Sequence, residues 1–238
     1  MNSPAAQPNQ SLIDGLAVLQ GLAVANEPVG SREMARRLGL EPTRVNRLLK
    51  TLAALGLARQ EPDRRYVPGP GMHVLSVQAL YGSGLVRRAM PILAELHQTG
   101  LTVALGVLWR AKVCYLFHAT PGRSPAEGWS ATGLFPAHHS AVGLPLLAAL
   151  SATDLTALYR DADEMPEEGL PALRSRLSQI QSDGYVYLPP GGAREDAAVG
   201  VAVGHPAFAG LALAGKISSK QVPQLAARLI DAAKHIGD

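Results

Sequence analysis

Residues 42–56, PTRVNRLLKTLAALG, set the strongest constraint on what this chain can fold into. Val45, Leu48, Leu49 and Leu52 fall at i, i+3, i+4 and i+7, so in a helix they make one apolar stripe that must pack against a core. Pro42 suits the first helical position, and Gly56 suits the turn that closes the end. The opposite flank offers Thr43, Arg44, Asn46, Arg47 and Lys50, which are cations, a hydroxyl and an amide with no acid among them. A helix divided in this way needs a small core behind it and presents a cationic face in front.

The neighbouring segments supply that core. Ser11 can cap a first helix carrying Leu12, Leu16, Leu19 and Leu22 or Val24 on one face, broken by EPVG at 27–30. Ser31 can cap a short second helix, REMARRL, which stops at Gly39, a residue suited to the left-handed C′ position. After Gly56, Leu57 to Gln60 and Arg65 to Val67 flank a polar tip at Pro62, Asp63 and Arg64, the pattern of a small hairpin. Helix, helix, tight turn, helix, hairpin is the order of a winged helix-turn-helix.

Charge agrees with this reading. Residues 1–68 hold nine Lys/Arg against six Asp/Glu, whereas the rest of the chain holds thirteen of each, so the whole net charge of +3 lies in the N-terminal part. All nine bases fall between Arg32 and Arg65, which predicts a polyanionic partner for that segment. A helix fits the major groove of B-DNA; Arg pairs with the guanine edge, Asn with the adenine edge, and Thr and Lys with phosphates or methyl groups. Thr43, Asn46 and Arg47 are placed to read bases, flanked by Arg44 and Lys50. Arg64 and Arg65 would reach a neighbouring groove or the backbone, and Ser31 and Arg32, with Arg36 and Arg37, would sit over phosphates.

From Met72 to Tyr81 an apolar helical segment leads to Gly82-Ser83-Gly84 and then to LVRRAMPILAELHQ, where Pro91 should kink or restart the helix. This connector has an apolar face best covered by a second subunit. Beyond it, strand and helix patterns mix. LTVALGVLW and VCYLFHA read as a hairpin of buried strands, followed by a Gly/Pro/Ser-rich loop from Thr120 to His139. Helices are expected over 140–150, 151–159 and 171–183, strands over 185–188, 197–203 and 210–215, and a last helix opened by Ser218 with Gln221 three residues on. The expected class is α+β with two domains: a disordered 1–10, a winged helix-turn-helix at 11–69, a linker helix at 70–88, and at 89–238 a mixed α/β effector-binding domain with a mainly antiparallel, GAF/profilin-like sheet.

The N-terminal order resembles regulators of the isocitrate lyase regulator (IclR) type: SLIDGLAVLQGLA, a second helix ending in L-G-L, then P-T-R-V-N-R-L-L-K-T-L, G-L and a wing closing on Tyr66. The wing's usual Y-x-L-G stands here as Tyr66-Val67-Pro68-Gly69. GLFPAHHSAVGLPLLAAL, residues 133–150, is similar to the family's G-x-x-x-P-L-H-x-S-A-x-G-K-A-L-L-A-x-L segment, with Leu144 in place of the usual lysine, and SDGYVY at 182–187 resembles the segment before its pocket strands. The resemblance implies a cytoplasmic transcription regulator, dimeric or a dimer of dimers, that binds an inverted-repeat operator in double-stranded DNA and senses a small molecule. It places His138, His139, Ser140, Ala141, Val142, Leu188, Ala198, Ala212 and Ala214 around the effector. Acidic, cysteine and serine residues commonly stand where this chain has Leu188, Ala198, Ala212 and Ala214. That cup therefore suits an apolar or aromatic effector, with the helix start at Ser140 left to meet an acidic group.

Other readings follow from single residues. An enzyme fused to a DNA-binding head would use Ser140 or Ser130 with His138 or His139, but no G-x-S-x-G elbow exists. An architectural DNA binder without effector is the third class. His138-His139 sit on a loop where adjacent side chains should diverge, so no metal site and no cofactor is expected. Cys114, the lone cysteine, fits a buried thiol, Trp109 and Trp129 fit core or pocket wall, Tyr115 and Phe117 fit sheet core, and Gly191-Gly192 fits a turn. No apolar run reaches the roughly 20 residues of a membrane span, and the N-terminus lacks the pattern of a signal peptide.

Overall fold

A computed structural model describes residues 8–128, 133–160, 162, 164–191 and 195–237. Trp129, Ser130, Gly192 and most of the expected disordered start lie outside the described residues. Residues 8–10 are described, and Asn9 caps the first helix with its side-chain oxygen, accepting from the N–H groups of Ser11 and Leu12, so the cap is Asn9 rather than Ser11. The chain divides between Gly84 and Leu85 into two units, which splits the segment 70–88 between them.

In the first unit, α1 (Gln10–Ala23), α2 (Ser31–Leu38) and α3 (Pro42–Ala54) close a core with β1 (Ala58–Gln60) and β2 (Tyr66–Pro68). Gly39, at φ 64°, gives α2 its left-handed stop, and Pro42 opens α3 as expected. Ser31 is the first helical residue and Gly30 the cap, with no side-chain capping bond. Val45 and Leu49 are fully buried against Val18, Leu22 and Met34. The α1 core face is Asp14, Val18 and Leu22; of the leucines expected inside, Leu22 is buried and Leu19 packs partly against the core, whereas Leu12, 61% exposed, and Leu16 are turned out. A buried aspartate on that face is tolerated because Arg44 Nε lies 2.7 Å from its Oδ2 and Gln10 donates to its Oδ1.

β1 and β2 pair antiparallel, and a two-way exchange of 2.9 Å hydrogen bonds between Val29 and Tyr66 adds the stretch before α2 to the hairpin. α4 (Pro70–Gly82) begins where Gly69 and Gly71 donate to Leu57 and Gly56. It buries none of its residues, and Val74, Leu75, Val77 and Tyr81 stand exposed.

In the second unit, α5 (Leu85–His97) runs through Pro91 as one helix. Among the described residues a single antiparallel sheet follows, built from β3 (Thr102–Trp109), β4 (Lys112–Ala119), β5 (Leu134–Pro136), β6 (Val186–Leu188), β7 (Ala197–Val203) and β8 (Ala209–Gly215) in the order β5-β4-β3-β8-β7-β6. The short β5 lies in the stretch expected to be loop, and it pairs with the start of β4. One face packs α5 and α9 (Val222–Gly237) through Leu105, Val199, Val201, Leu211 and Leu213. The other packs α6 (Gly143–Ala148), α7 (Ala152–Arg160) and α8 (Gly169–Asp183). The capping pairs Ser151–Asp154 and Ser218–Gln221 form as expected, and Gly184 ends α8 at φ 76°. Ser140, by contrast, precedes α6 instead of starting a helix over 140–150, because Ala137–His139 form a separate 3-10 turn.

Candidate nucleic-acid interface and effector cup

An open groove of about 940 Å³ lies between the start of α2, the first half of α3 and the wing. It gathers Ser31, Arg32, Thr43, Asn46, Lys50, Arg64 and Arg65, seven of the nine residues the sequence marks for DNA. Arg47 is exposed on the outer side of α3, where Thr51 Oγ1 donates to its carbonyl 3.0 Å away. Arg44 is the correction: its guanidinium is turned back to Asp14, a charge contact rather than an aligned hydrogen bond. The sequence places it beside the residues expected to read bases because helical spacing alone cannot show an acid on α1.

Carboxylates neutralise part of the positive face. Arg37 pairs with Glu33, Arg59 with Glu61 at 2.7 Å, and Arg65 with Asp63 at 3.8 Å. Arg32, Arg36, Arg47, Lys50 and Arg64 have no carboxylate partner among the described residues. At the wing tip Arg64 takes φ 64°, and its N–H donates to Glu61 in a tight turn. Three uncompensated cations lining a concave surface, Arg32, Lys50 and Arg64, with an amide and two hydroxyls beside them and with Arg36 and Arg47 outside it, have the chemistry that suits a phosphate backbone.

In the second unit the strand register aligns Leu188, Ala198, Ala214 and Thr102 in one row, with Val186, Gly200, Ala212 and Ala104 in the next. Four residues expected in the cup thus share one sheet face. Ala141 and Val142 lie directly over it. A Cβ on Gly200 would stand 1.9 Å from the carbonyl oxygen of Ala141, and one on Gly210 would stand 2.3 Å from that of Val142. The small residues of this face therefore let backbone settle on backbone.

Polar groups missed by the sequence reading line the same face. A bulge between Leu105 and Gly106 shifts the pairing of β4, so Leu116 and Phe117 both face α5 and α9, while Tyr115 and His118 share the opposite side with their rings 5.7 Å apart. Strict alternation would have put Tyr115 with Phe117, and the bulge leaves no mark in the residue pattern. Tyr115 OH lies 2.9 Å from Ser140 Oγ. Ser140 Oγ also accepts from the N–H groups of Val142 and Gly143. Those N–H groups are therefore taken, and the start of α6 does not offer them to an acidic ligand. The hydroxyl is thus engaged by three partners, two backbone N–H groups and the Tyr115 phenol.

His138 departs from its expected place. Its Nδ1 lies 3.1 Å from Tyr159 OH on α7, and its carbonyl accepts from Arg176 on α8 at 2.8 Å, so the residue faces the helices rather than the cup. Burial and the neighbouring His139 hold the His138 pKa below the usual imidazole value, and burial pushes the Tyr159 phenol up to about 12. Contrary to the divergence expected of adjacent loop residues, the rings of His138 and His139 approach each other: the 3-10 turn brings their centroids to 4.3 Å, close to Glu164. Cys114 is half-buried, and burial raises its pKa. No helix among the described residues is long and apolar enough to cross a membrane.

Residues 11–62 match the IclR helix-turn-helix domain. The chain is 31% identical over 181 residues to the HTH-type transcriptional regulator BhcR of Paracoccus denitrificans, an alignment covering 73% of this chain and 62%, under two thirds, of that protein. Its fold is similar to an IclR family transcriptional regulator from Brucella abortus, with TM-score 0.78, 22% identity and coverage of 99% and 95% of the two chains. It is also similar to an IclR homolog from Microbacterium hydrocarbonoxydans complexed with 4-hydroxybenzoate, with TM-score 0.68, 20% identity and coverage of 95% and 97%.

Proposed function

The chain belongs to the IclR family, and on that premise we propose that it is a transcription regulator that binds double-stranded DNA through its first unit and senses a small metabolite through its second. Residues 42–55 form the recognition element in the major groove. Arg47 and Asn46 read base edges, Thr43 and Lys50 meet methyl groups or phosphates, Ser31 and Arg32 hold the backbone at the start of α2, and Arg64 and Arg65 reach from the wing. The observation that carries this reading is the groove in which Arg32, Lys50 and Arg64 stand without carboxylate partners beside Thr43 and Asn46.

The effector is an aromatic or largely apolar compound lodged on the small-residue face beside Leu188, Ala198, Ala212 and Ala214, with Tyr115 and His118 as its polar contacts. The relative complexed with 4-hydroxybenzoate supports an aromatic acid as the first class to test. The exposed apolar residues of α1 and α4, Leu12 and Leu16 with Val74, Val77 and Tyr81, support self-association of the first unit, giving a dimer or a dimer of dimers on an inverted repeat. The protein works in the cytoplasm and has no catalytic role, a reading supported by the engagement of the Ser140 hydroxyl with three partners.

Footprinting of genomic fragments should show two protected half-sites about one or two helical turns apart. Arg47→Ala should weaken operator binding by about 1–3 kcal/mol and leave random DNA nearly unaffected. Gel shifts that stay blank at low salt would overturn the reading.

A further inference from the structure

His138, at the head of the loop over the sheet, has a feature that neither the DNA face nor the cup uses. The residue is 1% exposed, and its Nε2 is buried without a hydrogen-bond partner. Buried polar atoms in folded proteins are nearly always paired, so an orphan of this kind points to a water or an ion at the atom. The other ring nitrogen is fixed by Tyr159 OH at 3.1 Å. When Nδ1 donates its proton to that oxygen, Nε2 carries a bare lone pair. A metal-ligating histidine is built in this way, with an outer partner on one nitrogen fixing the tautomer and the ring plane while the other binds the ion.

Two further ligands stand beside it. The His139 ring is 4.3 Å away, tilted by 53°. Glu164 completes the set, and one ligand atom from each of the three residues lies within 4.8 Å of the others. Tetrahedral zinc, with bonds of about 2.0–2.2 Å, brings ligand atoms to roughly 3.5 Å from one another. His139 and Glu164 are both exposed, and closing that gap asks for a shift of their side chains by on the order of 1 Å. The buried ring can stay where it is.

We propose that His138, His139 and Glu164 form a binding site for a divalent transition-metal ion of the zinc class. Two imidazoles and one carboxylate select such an ion over calcium or magnesium, which prefer sets made wholly of oxygen. Three protein ligands leave the fourth position to water or to an anion. The bound ion would tie the 3-10 turn, and through it the Ala141–Val142 segment on the sheet, to the residues just past α7.

Zinc chloride titrated into the full-length chain after chelation is the test, read by calorimetry and by thermal unfolding. One ion should bind per chain with micromolar or tighter affinity, and the Tm should rise with metal concentration. Glu164→Gln and His139→Ala should each weaken zinc binding by about 100-fold, and Glu164→Gln, a near-isosteric change of an exposed side chain, should keep the metal-free Tm of the parent. His73→Ala and His235→Ala, exposed histidines elsewhere, should bind zinc as the parent does. Absence of saturable zinc binding, or equal affinity in the Glu164→Gln and His139→Ala proteins, would overturn the proposal and leave a water as the only partner of Nε2.

Discussion

The groove of the first unit and the cup of the second are shaped by opposite means. In the groove, the working atoms sit at the ends of long side chains carried by a small, fully packed core, and Arg32, Lys50 and Arg64 reach outward unneutralised. Over the sheet, shape comes from side chains that are missing, since Gly200 and Gly210 let two carbonyls settle within a distance that no Cβ would permit. An outward surface of this kind tolerates change in its backbone neighbours and responds to loss of a single charge. A backbone seated on backbone tolerates almost any charge change nearby and fails on the addition of one methyl group.

The largest effect should therefore come from the smallest substitution. Gly200→Ala puts a methyl where Ala141 O now lies, and overpacking at a site that cannot yield should cost the second unit on the order of 3 kcal/mol. Differential unfolding should show the first unit melting as before; an unchanged second transition would break the contrast. Next comes Asp14→Ala, which removes the acid that turns Arg44 inward. Arg44 is partly exposed and can swing to water, so the expected loss is about 2 kcal/mol, below the range for a fully buried pair. Denaturant unfolding of the first unit would read it.

Ala198→Ser sharpens the cup side. A hydroxyl on this crowded face should cost about 1 kcal/mol if it stays unpaired, and should move effector preference toward small keto acids and away from aromatic ones, as calorimetry would show. The smallest effect is expected at Arg59, whose ion pair with Glu61 leaves 69% of its side chain exposed. Arg59→Ala should alter stability by less than about 0.5 kcal/mol in a thermal scan.

How far each region was legible in the sequence follows from the same contrast. The recognition helix was readable because its function needs side chains of a certain kind at helical spacing: Pro42, Val45, Leu49 and Gly56 act in the structure as their spacing predicts. Its flank was less so, since Arg44 is claimed by Asp14 on another helix. The outward turn of Leu12 and Leu16 was hidden for a related reason, because an apolar stripe does not say whether its partner lies in the same chain. In the second unit the strands other than β5 were legible, but β4 changes parity at a bulge and carries Tyr115 and His118 to the face where alternation puts Phe117. Leu188, Ala198, Ala212 and Ala214 there read as lost polar contacts, whereas the approach of Ala141 and Val142 to Gly200 and Gly210 shows that the same face is also closely packed. The 3-10 turn that stacks His138 on His139 also has no signature in the residues themselves.

The exchange between Val29 and Tyr66 fastens the entry to α2 onto the hairpin. Helix and wing tip thus act as the two jaws of a caliper with a locked screw. If these elements hold DNA as proposed, an operator whose groove width or twist does not match that gap must deform to fit it, and sequences that deform readily will be favoured at base pairs no side chain touches.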